Sequence, residues 1–535
     1  MEARSARRLH IPAIKFPSSE VTMLRELFAL LTALLIASKI LRSYRRNAHL
    51  PPGPKGLPLL GNLLDMPKKE VHVTFRDWAR IYGKDLMRVQ VPGETFYVIS
   101  NKKVMVDLFE GRSATYSDKP RMTMAESTGF KNVTPLLPYN ARLKTSRRFL
   151  KQCLSPAAVR SYHPYINNRA ALLLEALHTD PDDYVRHYTR MAAHTALKIT
   201  YGYEGVTEDR HLLEGAIETM EIFAKVVAPG GGWMVDALPI LDRLPAWFPF
   251  AGFKRYQELA KPVVLETVCR PFEEVKKHLA QGTADGSFCS YLLQTEKIIP
   301  EVEDCIRWAA SSIFLGQFDT TTATLSWFTH AMLTHPEVQQ KAQAELDRVV
   351  GPDRLPGVED RDSLPYVNAI LKEIFRWQPI LSMLPRTSNQ DDEYTGYFIP
   401  KGTYMLANIW AVLHDPEVYP NPETFMPERH LESSTPDPLE VAFGFGRRVC
   451  PGMLVAQAQA FATMACVLAV FDLKAPKDEF GNEVVPVTKS VDSLINFPVP
   501  FKCMFIPRSD AALEIIQRSA EHARFIPDRL ERWSD

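Results

Sequence analysis

Seven cysteines are scattered through the 535 residues, and one of them stands in surroundings able to do chemistry. Cys450 lies in Phe443-Gly444-Phe445-Gly446-Arg447-Arg448-Val449-Cys450-Pro451-Gly452, just ahead of an apolar, alanine-rich stretch from Met453 to Val470. Proline suits a helix's first position, having the right φ and no amide to leave unbonded, so Cys450 reads as the residue just outside a helix N-terminus. Free amides and the positive end of the helix dipole would then face the sulfur and favour thiolate over thiol. Gly444, Gly446 and Gly452 would let backbone approach something flat and bulky, with Phe443 packed against it. Arg447 and Arg448 would meet carboxylates on the same object. A cysteinate beside a planar, carboxylate-bearing group describes thiolate-ligated haem. The bland alternatives are a chance cysteine in a glycine-rich turn or a buried structural thiol.

A second stretch places polar groups where a helix should be apolar. From Glu303 to Thr334 apolar residues recur around every side, the pattern of a buried helix, and His335-Pro336 ends it. In its middle stands Gly316-Gln317-Phe318-Asp319-Thr320-Thr321-Thr322. A carboxylate and three threonines there cost stability unless they have a task. Without one, the threonines back-bond to the preceding turn and Asp319 is salt-bridged. A third set falls on the helix predicted from Leu364 to Arg376, where Glu373 and Arg376 share a face and can pair. A surface ion pair accounts for those two residues by itself; Phe425-Met426-Pro427-Glu428-Arg429 follows downstream.

The remaining chain must position these groups. Net charge is zero, which argues against wholesale nucleic-acid binding. The odd cysteine count without a CxxC pair describes neither a disulfide framework nor a zinc site, and it suits a reducing compartment. Residues 1–20 are polar and basic; an apolar run follows from Leu27 to Ala37 and extends through Ile40-Leu41 if Lys39 snorkels. That is short of the roughly 20 apolar residues of a full span. Arg42, Arg45 and Arg46 come next, so the run reads as a single-pass anchor with the bulk of the chain in the cytosol. A cleaved signal peptide lacks its small-residue cleavage site here, and a buried core helix is the other rival. Leu50-Pro51-Pro52-Gly53-Pro54 forms a stiff hinge. Asn132-Val133-Thr134 is a sequon, unused if the domain faces the cytosol.

Beyond the hinge, Leu86–Val91 and Thr95–Ile99, split by Pro92-Gly93, predict a β-hairpin. Residues 113–138 lack periodicity and read as a long loop. Tyr139 to Arg148 opens a basic helix with a solvated face. The segment between Val226 and Lys254 is rich in aromatic residues and proline. Tyr397 to Tyr404, broken by Pro400-Lys401-Gly402, predicts a second hairpin, and Ser509 to Asp535 a surface helix and charged tail.

The stretch around Cys450 is similar to the cytochrome P450 haem signature Phe-x-x-Gly-x-Arg-x-Cys-x-Gly, with every fixed position filled. The central helix resembles the family's (Ala/Gly)-Gly-x-(Asp/Glu)-Thr-(Thr/Ser), with Gln317 in place of the second glycine. Glu373-x-x-Arg376 and Pro427-Glu428-Arg429 are similar to its Glu-x-x-Arg and Pro-Glu-Arg elements. Hinge, lid segment and haem loop look most like fungal microsomal members, the subset that includes O-methylsterigmatocystin oxidoreductase. The resemblance implies haem b (iron protoporphyrin IX) held by Cys450, with Phe443, Gly444, Arg448 and Gly452 in its cradle. It implies Arg147, Arg386 and His414 at the propionates, where Leu143 stands in place of a usual tryptophan. Asp319 and Thr320 would feed protons to bound dioxygen, and Gln317 would crowd or hydrogen-bond within their groove. Glu373, Arg376 and Arg429 would form a buried triad; Ile380 to Arg386 and Val491 to Ile495 would line the pocket, and the 226–254 segment would dip into the membrane surface.

The expected architecture is therefore a mainly α fold with a smaller β part: anchor in 1–49, catalytic P450 domain in 50–507, charged tail in 508–535. The expected activity is oxidation of a hydrophobic small molecule with O2, a tailoring step in fungal secondary metabolism at the endoplasmic reticulum membrane. No flavin or nicotinamide signature is present, so electrons would come from NADPH-cytochrome P450 reductase, with cytochrome b5 as a further donor and membrane lipid as the support. The alternatives are a thiolate-haem isomerase or dehydratase that needs no O2, and a non-catalytic haem binder.

Overall fold

The computed structural model describes residues 50–203, 210–227, 233–248, 251–491 and 493–525. The expected anchor lies outside these residues. The principal helices are α1 (Ala141–Cys153), α2 (Pro156–Thr179), α3 (Tyr184–Tyr201), α4 (Arg210–Val227), α5 (Gly252–Gln281), α6 (Pro300–Thr334), α7 (Pro336–Val349), α8 (Pro365–Trp377), α9 (Met453–Val470) and α10 (Asp510–Phe525). The strands are β1 (Met87–Val91), β2 (Glu94–Ile99), β3 (Met383–Thr387), β4 (Asp392–Tyr394), β5 (Tyr397–Ile399), β6 (Tyr404–Asn408), β7 (Phe471–Lys474) and β8 (Met504–Pro507). The balance is mainly helical with a smaller β part.

Local chemistry sets the helix ends. Pro300 opens α6 without forfeiting a hydrogen bond, and Glu301 and Glu303 meet the positive end of its dipole. Asn140 caps α1 by accepting from the Leu143 amide at 3.0 Å. The N-terminus of α8 is capped from another helix: buried Glu345 on α7 accepts the Tyr366 and Val367 amides at 3.0 Å. Both α6 and α9 are apolar on almost every side because both are enclosed. Helix α9 is long and apolar enough to cross a membrane, yet it lies in the core with α2, α7 and α8 packed around it. Helix α6 lies along α3. The segment expected as a charged surface helix and tail supplies α10, whose Ala512, Ile515, Ile516, Ala520 and Ala523 are buried against the body. Its charged face bonds outward, Arg518 to the Asp353 carbonyl and Arg524 to Glu175.

The predicted first hairpin is β1–β2, which extends into a four-stranded sheet ordered β1-β2-β6-β3; β2 and β6 run parallel and the other pairs antiparallel. Strands β7 and β8 form a separate antiparallel pair. The second expected hairpin is drawn differently. Tyr397–Ile399 pairs with Asp392–Tyr394, whereas Tyr404–Asn408 joins the four-stranded sheet. The two-residue turn Thr395-Gly396, both at positive φ, closes β4 on β5; it is a stronger hairpin signal than Pro400-Lys401-Gly402. By its contacts the chain divides into two compact units, with this small hairpin, Asp392–Ile399, in one and the body of the described residues in the other. Residues 113–138 contain short helical turns at Thr123–Ser127, Phe130–Asn132 and Thr134–Leu136, too brief to leave a periodic trace in sequence.

Glu373 is wholly enclosed on α8 and gathers the chain that leads toward Cys450. Its oxygens accept two bonds from Arg376 at 2.8 Å, one from Arg429 at 3.2 Å and the Met426 amide at 2.9 Å, and pair with His430 Nε2 at 2.7 Å. The guanidiniums spend their other hydrogens on the carbonyls of Leu413, Pro420 and Thr424. Burial alone would raise Glu373, but hydrogen bonds from His430 and Arg376 more than reverse it, to about 2. Removing one partner strands buried charge. Arg376→Met should therefore destabilise the fold by about 3–5 kcal/mol. Glu373→Leu, which strands Arg376 and Arg429 together, should cost more than that single change, as read from thermal unfolding midpoints.

Candidate active site

The loop preceding α9 is a chain of tight turns. Phe445 leads into a short 3-10 turn at Gly446–Arg448, and the Cys450 amide donates to the Phe443 carbonyl at 2.9 Å. Gly446 has φ +53, and a Cβ there would stand 2.2 Å from the Phe109 carbonyl oxygen. Gly446 thus serves contact with the protein's own backbone, not approach to a bulky partner. Phe443 packs on Phe375 with ring centroids 5.0 Å apart. Pro451 lies ahead of the cap Gly452, and α9 starts at Met453, two residues later than the proline rule places it.

Cys450 is exposed as a residue, yet so much protein surrounds it that burial raises its thiol above the ordinary range. The Gly452 amide and the Arg147 guanidinium pull in the opposite direction without cancelling that cost. The expected preference for thiolate is therefore not met by helix and amides alone. It needs a cation at the sulfur, as a metal ion supplies.

Next to the cysteine the protein collects positive charge. Arg147 on α1 donates to the Val449 carbonyl at 2.7 Å, one residue before Cys450. Arg448 donates to the carbonyls of Ser117 and Leu137, and buried Arg386 on β3 only to its neighbour Pro385, at 3.4 Å. Lys119 Nζ donates to the Pro385 carbonyl at 2.9 Å. Burial first, and then the charges of one another, push Arg386 down to about 9 and Arg448 to about 10, and hold Lys119 well below its usual value. Among the described residues no carboxylate comes within ion-pair distance of any of the four; the charge of Asp118 opposes the shift of Arg448 in part. Buried Arg386 and three half-buried cations near it, bonded to carbonyl oxygens and to no carboxylate, suit an anion from outside the chain.

The middle of α6 is open to solvent at Gly316. Gly316 is exposed with nothing within 4 Å of where a Cβ would stand, and Asp319 and Thr320 are half-buried beside it. Thr320 donates to the Gly316 carbonyl at 2.8 Å and Thr322 to Phe318 at 2.7 Å, the back-bonding that threonine in a helix tends to adopt. Asp319 has no hydrogen-bond or ion-pair partner among the described residues. Burial, helped by the charge of Glu221, raises it to about 6. Gln317 does not fill this groove. Its amide turns aside and donates to Gln459 on α9 at 3.0 Å.

Other expected positions fall elsewhere. His414 is buried, stacked on Trp410 at 3.9 Å, with Arg376, Arg76 and Glu373 as its charged neighbours, so it stands outside the cation group. Arg447 points outward and stacks over Tyr139. Leu143 is buried as an apolar core residue. The loop at 491–495 leads into Asn496, which binds the Gln378–Ile380 segment through its amide (2.9 Å to Ile380) and side chain. Lys119 and His430 escaped the sequence reading: one is a lone cation in an aperiodic loop, the other simply follows Arg429.

The sequence model of the family described as cytochrome P450 matches residues 51–493. Cytochrome P450 monooxygenase claR of Ampulloclitocybe clavipes is 38% identical over 516 residues, 95% of each chain. Cytochrome P450 monooxygenase COX2 of Coprinopsis cinerea is 38% identical over 497 residues, 90% of this chain and 94% of its own. Cytochrome P450 monooxygenase 105 of Postia placenta is 36% identical over 502 residues, 92% and 96% of the two chains. The cofactor of this family is haem with an axial cysteine thiolate, whose iron and carboxylates match a sulfur that needs a cation and a cation group that needs anions. The chain belongs to the cytochrome P450 monooxygenase family.

Proposed function

We propose that this chain is a membrane-anchored haem-thiolate monooxygenase that oxidises a hydrophobic small molecule in fungal secondary metabolism. The observation that carries the reading is the group Lys119, Arg147, Arg386 and Arg448, enclosed without a carboxylate and set beside Cys450. Cys450 is the iron ligand; the four cations, with Phe443, Gly444 and Gly452 close to the sulfur, hold the haem and its carboxylates. Bound there, haem supplies reductive activation of O2 and transfer of one oxygen atom to a C–H bond.

The chain's own task is to orient substrate, exclude bulk water and deliver protons. Asp319, near 6, exchanges a proton readily around neutral pH. Thr320 spends its hydrogen on Gly316 and keeps its lone pairs for a water in the groove. Electrons come from NADPH-cytochrome P450 reductase, with cytochrome b5 as an additional donor, at the endoplasmic reticulum membrane. Residues 1–49 are the single-pass anchor, 50–507 the catalytic domain in the cytosol, and 508–535 a charged segment that begins as α10. Exposed Leu59, Leu64, Met234, Ile240 and Trp247 support a membrane-facing side. An O2-independent isomerase or dehydratase is the second reading; the unpaired, readily protonated Asp319 beside Thr320 favours the monooxygenase.

The deciding measurement is the reduced, carbon-monoxide-bound difference spectrum of the membrane-expressed protein. A strongly red-shifted Soret band lost in Cys450→Ala is expected; a histidine-type spectrum, or no haem, would overturn the assignment. Arg386→Leu should lower the haem content of the purified protein severalfold, whereas Arg447→Leu should leave it unchanged. Asp319 gives a pH signature. Its folded value exceeds the unfolded one, so its ionisation disfavours the folded state increasingly between pH ~4 and ~6. Asp319→Asn should then gain on the order of 2 kcal/mol at pH 8 and almost nothing at pH 4, by denaturation midpoint.

A further inference from the structure

Helical geometry places Gly316 and Thr320 on one strip of α6, with Asp319 flanking that strip on one side and Gln317 on the other. Gln317 Nε2 donates to Gln459 Oε1 at 3.0 Å. Gln459 Nε2 donates to Thr195 Oγ1 at 2.9 Å, and that hydroxyl donates to the Met191 carbonyl at 3.1 Å. Gln459 and Thr195 are fully enclosed among apolar side chains of α3, α6 and α9. The first two links each use a donor on one helix and an acceptor on the next, and the third anchors the Thr195 hydroxyl within α3. Breaking one strands a buried polar atom, so the chain of bonds specifies a single arrangement of the three helices.

Position is what makes this arrangement consequential. Helix α9 begins three residues after Cys450, and Gln459 lies six residues into it, about 9 Å along the axis. Helix α6 carries Asp319 and Thr320. Gln317 to Gln459 is the only side-chain hydrogen bond joining α6 to α9 among the described residues. No other side-chain hydrogen bond among the described residues restrains sliding of one along the other.

We propose that the Gln317–Gln459–Thr195 chain is a positioning device. It sets the register between the helix that follows the metal-ligating cysteine and the helical turn that handles protons. It acts on how cleanly O2 reduction proceeds, not on whether haem binds. The inference rests on the monooxygenase reading above.

The test compares wild type with Gln317→Ala, Gln459→Met, the double variant and Thr195→Val, each as haem-loaded protein with reductase and NADPH. The fraction of NADPH electrons recovered as hydrogen peroxide and the C–O stretching band of the carbon monoxide complex are read together. In the single glutamine variants peroxide should rise severalfold and the C–O band should broaden or shift, while the thiolate-type Soret band persists. The double variant should match the worse single one, because both cut the same link, and Thr195→Val should move the same way by less. If only unfolding temperature falls, with peroxide fraction and C–O band as in wild type, the network is merely structural and the proposal fails. Should Gln459→Met not fold, half-buried Gln317→Ala decides the matter alone. A wild-type protein without a thiolate-type spectrum would instead refute the functional reading itself.

Discussion

One enclosed carboxylate holds the frame of this enzyme. Glu373 meets two guanidiniums, an imidazole and a backbone amide, and Arg376 and Arg429 reach onward to carbonyls between Leu413 and Thr424. That stretch has little regular structure of its own, so its path is fixed mostly by these bonds. It leads into the turns that present Cys450 at the head of α9. A buried ion cluster is seldom a net source of stability compared with apolar packing. What it supplies here is uniqueness, because no other arrangement pairs every charge.

The cofactor side follows the opposite logic. Lys119, Arg147, Arg386 and Arg448 are enclosed and unbalanced, and Cys450 is held in surroundings that disfavour its own thiolate. Both conditions are unfavourable for the chain alone. Both are relieved by one ligand bearing a metal at its centre and carboxylates at its edge. The frame around Glu373 is what keeps the unfavourable arrangement from relaxing.

Much of this was legible in the residues. The haem signature, the α6 polar insert and the Glu373–Arg376 spacing are local patterns, and local patterns survive in sequence. Helix ends were legible for the same reason, since proline and capping residues act on their neighbours. What failed were partnerships across the chain. By sequence Gln317 would crowd or hydrogen-bond within the groove, and only the neighbouring α9 shows where its amide goes. His414 stacks on Trp410 instead of joining the cations. Residues Tyr397 to Tyr404, broken by Pro400-Lys401-Gly402, read as one hairpin, yet the two halves pair with different strands.

The family, the turn-rich setting of Cys450, and the helices whose periodicity and caps lie in adjacent residues were all readable before any fold was known. Tertiary structure decided which charges are compensated and which are left for a cofactor, because that depends on residues as far apart as Lys119, Arg386 and Arg448. It also decided that a run apolar enough for a membrane is core, since enclosure by α2, α7 and α8 is a property of the assembled chain. Adjacent residues dictate backbone geometry through sterics and short-range hydrogen bonds. Desolvation and charge balance are set by everything within several ångströms, and only the fold specifies what that is.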